Sequence, residues 1–192
     1  MVSPRILAFA GSTRSGSFNK KLIAIGAAAA REAGAEVTLL DLRDLALPLY
    51  DGDLEAESGL PEGAKRLKGL MIPSAGLLIA SAEYNSGYSA VLKNAIDWAS
   101  RPAPGEPSLA AFNGKVAGLL SASPGALGGL RGLAALRSVL GSIGVLVLPE
   151  QATVPKADAA FDAQGRLTDA KTAEKVALVA RRVVEVSRRL TT

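Results

Sequence analysis

The sequence predicts an α/β fold: a doubly wound, five-stranded parallel sheet of order 2-1-3-4-5 with helices on both faces. Three observations predict it. Strand-sized apolar runs alternate with helix-sized stretches, the pattern of a parallel sheet built from strand–helix–strand units. The run at 75–80 is apolar throughout rather than alternating, as strands buried on both faces are. Loops rich in Gly and Ser follow the first, third and fourth strands. In that strand order those three strand ends are neighbours, and ligands bind at the switch point between strands one and three.

The elements follow in order. An apolar run from Arg5 breaks at Gly11 and opens the first loop, Gly11-Ser12-Thr13-Arg14-Ser15-Gly16-Ser17-Phe18-Asn19, with Asn19 where a helix cap is expected. Residues 20–33 are Ala-rich and stop at Gly34, a helix with a good terminator. A second strand spans 36–41. Residues 42–60, acidic and broken by Pro48, Gly52 and Gly59, read as an irregular surface loop. A short helix over 62–72 leads to the third strand at 75–80. The second loop, 81–88, precedes a helix over 89–100 and a Pro-rich connection over 101–107. The fourth strand spans 115–121, the third loop 121–129, and the next helix 130–140. The fifth strand covers 145–148 and resumes at 152–154 beyond Pro149. The closing helix, 170–190, carries an apolar stripe of Ala173, Val176, Ala177, Ala180, Val183, Val184 and Leu190. With no internal repeat and no linker, residues 1–192 are expected to form one domain.

Composition narrows the function. The chain has 192 residues, 48% apolar and 21% charged, which places it among globular chains with a substantial core. Net charge is +4, but the basic residues are scattered and many fall on the last helix, so a solvated basic face is expected rather than a nucleic-acid footprint. Aromatics at 4% argue against recognition of nucleic acid by stacking. No apolar run is long enough for a membrane span, and the N-terminal run is too short for a secretory leader. There is no Cys and no His. That removes thiol nucleophiles, His-based triads, His or Cys metal sites and His general bases. An enzyme built this way uses carboxylates, Lys, Tyr or Arg, or takes its chemistry from a cofactor. A chain without disulfides fits the reducing cytoplasm.

The first loop is the strongest functional signal. A strand–loop–helix unit directs free backbone N–H groups and the positive end of a helix dipole at one point, which suits a phosphate. Gly11 and Gly16 match the glycines of a nucleoside-triphosphate loop, but Ser17 and Phe18 stand where Lys and Ser/Thr are needed. The dinucleotide fingerprint needs glycine where Thr13 stands. A mononucleotide phosphate, held by Ser12, Thr13, Ser17, Asn19 and backbone amides with charge from Arg14, remains. It suits a flavin mononucleotide on a flavodoxin-like sheet. An ordinary polar loop with a helix cap is the alternative, and the convergence of three loops weighs against it.

These motifs together resemble the NADPH-dependent FMN reductases, a family of flavin, quinone, chromate and azo-dye reductases. The first loop resembles that family's phosphate loop. Glu83-Tyr84-Asn85 followed by Leu92-Lys93-Asn94-Ala95-Ile96-Asp97-Trp98 resembles its second signature, the most specific of the three. Ser123-Pro124-Gly125 with Gly128-Gly129 resembles its third, and the likeness extends to about Pro149. The chain has Ala82 where the family often has Pro before Glu-Tyr-Asn, and Ser89 where it often has Pro at the next helix.

The resemblance implies that Ser12, Arg14, Ser17 and Asn19 hold an FMN phosphate. It implies that the backbone of Glu83, Tyr84 and Asn85 lines the flavin edge, and that Ser123 and Gly125 face the ring. NADPH or NADH is the implied hydride donor, a small molecule such as a quinone, flavin, azo dye or metal oxyanion the acceptor, and a ping-pong scheme the order. No protein residue is assigned to the hydride step, in keeping with the missing His and Cys. Taken alone, Glu83 reads as a salt-bridge or interface residue, Tyr84 and Tyr88 as packing aromatics, and Trp98 as packing or subunit contact. A homodimer or homotetramer is implied, with Trp98 shielded on assembly. The competing function is a flavodoxin-like electron carrier or a flavin-binding interaction protein without turnover. Carriers dock through strong acidity, and net +4 argues against that.

Overall fold

The computed structural model describes residues 3–190. Five parallel strands form the main sheet: β1 (Arg5–Ala10), β2 (Glu36–Asp41), β3 (Gly76–Ala80), β6 (Val116–Ala122) and β7 (Leu146–Val154). Their order is β2-β1-β3-β6-β7, the arrangement expected from the sequence. Two short strands, β4 (Glu83–Tyr84) and β5 (Gly87–Tyr88), pair antiparallel outside that sheet. The helices are α1 (Phe18–Glu32), α2 (Gly52–Ser58), α3 (Glu62–Met71), α4 (Ala90–Ala99), α5 (Leu130–Ser142) and α6 (Ala170–Leu190).

Strand alternation sorts the core into two layers. Ile6 and Ala8 of β1 point to one face, where they meet Leu22 and Ile23 of α1 and Val179 and Val183 of α6. Leu7 and Phe9 point to the other, against Leu67 of α3, Ile96 of α4 and Leu136 of α5. Strands β3 and β6 are buried along their whole length, as their uninterrupted apolar sequences require. The closing helix approaches them closely because they carry glycine. A Cβ at Gly118 would stand 2.5 Å from Val183, and one at Gly76 2.6 Å from Ser187. Val176, Ala180, Val183 and Val184 of the expected stripe are buried, while Leu190 is exposed beyond the sheet.

Several expectations are corrected. Residues 42–60 are not wholly irregular: a 3-10 turn spans Leu42–Leu45, and α2 follows, capped by Asp51. The loop at 81–88 contains the β4–β5 hairpin. The fifth strand does not stop at Pro149. Ala117 pairs with Val147 and Leu119 with Gln151, so a bulge takes up the extra residues where the proline has no N–H to give. Helix α1 begins at Phe18 with Ser17 as its cap, rather than at a cap on Asn19.

Trp98 is fully buried within the single chain, so its shielding does not report assembly. Its Nε1 donates to the Pro48 carbonyl at 2.8 Å, and its ring meets Tyr50 edge-on at 5.0 Å. Asn94 donates to the same carbonyl and accepts from the Tyr50 amide, both at 2.8 Å. The Asn94-to-Trp98 stretch of α4 therefore clamps the segment around Pro48. Among the described residues, no helix is long and apolar enough to cross a membrane.

Candidate functional site

Chain direction brings the three polar loops to the carboxyl ends of β1, β3 and β6. The Gly11 amide donates to Ala80 at 2.9 Å and the Ser81 amide to Leu120 at 2.8 Å, which stitches neighbouring strand ends together. Gly11 is packed so tightly that a Cβ there would lie 3.0 Å from Leu92. Ser89 caps α4 by accepting from the Leu92 amide, and donates to the Gly11 carbonyl at 2.7 Å. The serine hydroxyl at this position ties α4 to the first loop.

Ser12, Arg14, Ser17, Asn19, Glu83, Tyr84 and Ser123 line one cleft of about 260 Å³. Asn85 and Gly125, also expected at the site, sit on the turns beside it. Phe18, Ala82, Ala122 and Pro124 complete the lining and were not among the residues expected to hold the cofactor.

Two of the helices that follow these loops, α1 and α5, differ at their N-termini. Helix α5 is preceded by its cap residue Gly129, which adopts a left-handed φ of 93°. A Cβ there would lie 1.9 Å from Ser121 Oγ, so the turn demands glycine. The first turn of α5 already holds an anion: Glu83 Oε2 accepts from the Gly132 amide at 2.6 Å. Glu83 is thus a helix cap reaching over from the hairpin, not a salt-bridge partner. Helix α1 has no acidic residue in its first turn, and its cap Ser17 makes no side-chain hydrogen bond to the helix. Ser12 and Ser17 are buried, 8% and 3% exposed, and Arg14 is exposed next to them. Buried hydroxyls, an open helix N-terminus and a guanidinium are the donor set of an anion site.

Asn19 is assigned differently from the expectation. It is 3% exposed, donates from Nδ2 to the Ala122 carbonyl at 2.9 Å, and accepts from the Ala122 amide at 2.9 Å. Its amide locks α1 to the end of β6 and so sets the distance between two walls of the cleft.

The hairpin makes the third wall. Asn85 and Ser86 have φ of 51° and 65°, the primed two-residue turn that matches strand twist. Tyr84 is 63% exposed, whereas Tyr88 packs against the core. Ser121 Oγ donates to Ser81 O at 2.7 Å, and Ser123 Oγ accepts from the Gly125 amide at 3.2 Å, which shapes the last loop. A second hollow of about 240 Å³ lies by the edge strand, where Lys20 meets Asp41 at 2.6 Å. Burial pushes the Asp41 carboxyl up, but the hydrogen bonds from Lys20 and the Arg43 amide, with the charges of both side chains, together outweigh it and hold it below the usual carboxylate range. That hollow does not collect the three loops. Among the described residues, no group of three His, Cys, Asp or Glu side chains could hold a metal ion.

Known proteins share this fold. The family described as NADPH-dependent FMN reductase matches residues 4–159. An NAD(P)H-dependent FMN reductase of Pseudomonas aeruginosa is 39% identical over 175 residues, covering 90% of this chain and 89% of the relative. A 2-hydroxy-1,4-benzoquinone reductase of a Burkholderia species is 32% identical over 169 residues, covering 88% and 87%. Among solved structures, the flavoenzyme NAD(P)H:(acceptor) oxidoreductase FerB of Paracoccus denitrificans superposes with a TM-score of 0.81 at 30% identity, covering 97% of this chain and 98% of that one. With the fold, the three loops and these matches in agreement, the chain belongs to the NADPH-dependent FMN reductase family.

Proposed function

We propose that the cleft is the cofactor site of an FMN-dependent NAD(P)H oxidoreductase, with the FMN phosphate at the amino end of α1. The contrast between the two helix N-termini carries this reading. Glu83 fills that of α5, while that of α1 has no acid in its first turn and a cap serine free of the helix. A dianion is the ligand that such a terminus and Arg14 attract.

FMN held there supplies hydride acceptance from a nicotinamide and electron delivery to a second substrate. The chain's own residues bind and orient. Ser12, Ser17 and Arg14 take the phosphate, and Asn19 holds the loop at its distance from β6. The backbone of Glu83, Tyr84 and Asn85 borders the ring edge, with Ser123 and Gly125 on the loop after β6. The Glu83 carboxylate seats the hairpin on α5 rather than moving protons.

Donor and acceptor use one open face in turn, a ping-pong order. Quinones lead the acceptor classes, supported by the quinone-reducing relative; flavins, azo dyes and metal oxyanions belong to the same reading. So does a cytoplasmic homodimer or homotetramer formed from one domain spanning residues 1–192. Anaerobic NADPH addition to the FMN-loaded protein should bleach the flavin without any partner protein. Absence of bleaching would favour the electron carrier. Steady-state rates with a quinone should give parallel double-reciprocal lines; intersecting lines would rule out ping-pong.

A further inference from the structure

Residues 155–168 run between β7 and α6 as a strap, and Phe161, on it, lies just past the residues 4–159 that the family matches. The root of the strap is bonded to one wall of the cleft: the Ala157 amide donates to Ser123 O at 3.1 Å and the Lys156 amide to Gly125 O at 3.4 Å. Its tip is organised by Asp162, whose carboxylate accepts from the Gln164 and Arg166 amides at 2.9 Å and from Arg166 Nε at 2.7 Å. Phe161 pairs with Leu167 across the turn, and both pack against the core. The Phe161 ring then lies parallel to that of Phe18, 5° between planes and 6.1 Å between centroids. Phe18 lines the cleft, and the Arg14 guanidinium stands 5.5 Å from its centroid. Lys21 Nζ stands 5.7 Å from the centroid of Phe161.

We propose that Phe161 is a positioning residue for the phosphate site: it fixes the Phe18 ring on which Arg14 stacks, and so presents the guanidinium to the phosphate. Two facts on different elements meet here. The strap is tied at its root to the Ser123 loop and at its tip to the first residue of α1, so it spans two walls of the cleft. An exposed Arg on a short loop samples many rotamers, and a ring held in place beneath it reduces that freedom before the ligand arrives. Phe161 does not line the cleft; it acts through Phe18, which does. The inference rests on the phosphate reading above.

The test is titration of FMN and riboflavin into apo-proteins, with the ratio of the two affinities as readout. That ratio cancels any general damage to the cleft, because riboflavin lacks the phosphate. Phe161→Ala and Phe161→Leu should weaken FMN about two- to fivefold, the size of an exposed cation–ring contact, with riboflavin affinity unchanged. Phe161→Tyr keeps the ring and should restore the wild-type ratio. In an Arg14→Ala background, Phe161→Ala should leave the ratio where Arg14→Ala has already put it. Equal weakening of both ligands, an unchanged ratio in the Ala and Leu variants, or the same further loss without Arg14 would overturn the proposal. If Arg14→Ala alone leaves the ratio intact, the phosphate assignment fails with it. If Arg14→Ala lowers the ratio and the Phe161 variants do not, only the role of Phe161 fails.

Discussion

Replacing Asn19 with alanine separates a structural clamp from a phosphate ligand. The side chain is buried and makes two 2.9 Å hydrogen bonds to the backbone of Ala122. Removing it orphans one N–H and one C=O, each costing about 1–3 kcal/mol when left unpaired. Water entering from the adjoining cleft offsets part of this, and the better helix propensity of alanine returns about 0.5 kcal/mol. The net loss expected for the apo-protein is about 1.5–3.5 kcal/mol. For a chain of this size each kcal/mol moves Tm by about 2–4 °C, so the shift should be about 3–14 °C. Thermal unfolding of the apo-protein by circular dichroism measures it. FMN and riboflavin should both weaken, by similar factors, because the variant displaces walls rather than deleting a phosphate contact. An apo-protein Tm within about 1 °C of wild type, joined to a selective loss of FMN, would refute the clamp and return Asn19 to the phosphate.

Gly129→Ala forces a side chain into a left-handed turn and onto Ser121 Oγ. It should cost more than about 2 kcal/mol by denaturant unfolding. Gly16→Ala, where a Cβ meets nothing within 4 Å, should stay within about 0.5 kcal/mol of wild type. Trp98 emission should be blue-shifted and resist acrylamide at every protein concentration, since the ring is buried inside the protomer; quenching that rises on dilution would contradict this. Asp162 carries a pH signature. Hydrogen bonds from the Arg166 amide and guanidinium hold its carboxyl below the usual range, so the folded state favours the charged form. Its contribution is complete above the unfolded value of about 3.9 and is lost as pH falls through the lower folded value. The Tm difference between wild type and Asp162→Asn should therefore be constant from neutral pH to about 5 and close below about 4; a gap that widens on acidification would reverse the assignment.

The first loop was legible because everything that makes it is contiguous. A strand, a glycine, hydroxyls and a helix start follow one another from Arg5 to Phe18, and backbone geometry turns that succession into an open helix N-terminus of the kind that suits an anion. The strand order followed from alternation and crossover rules, since parallel strands joined by helices have few arrangements. The hairpin was not legible. Its strands are two residues each, too short for any periodicity, and its turn is Asn85-Ser86 rather than a glycine pair. Pro149 misled in the opposite direction: a local breaker was accommodated by a bulge that only the pairing with β6 makes available.

Local chemistry in the sequence therefore determined the fold class, the polar loop between β1 and α1 that we propose for the phosphate, and the absence of His and Cys side chains. The tertiary structure alone assigned the side chains whose partners are distant in sequence. Asn19 reads as a cap or phosphate ligand until Ala122 arrives beside it, 103 positions on. Glu83 reads as a surface acid until the Gly132 amide, 49 positions away, meets it at 2.6 Å. Trp98 reads as a packing or an interface aromatic, undecided between them, until Pro48 folds over its Nε1. A polar side chain takes the role of whatever donor or acceptor the fold brings within about 3 Å, and sequence spacing says nothing of that distance once the chain has turned back on itself.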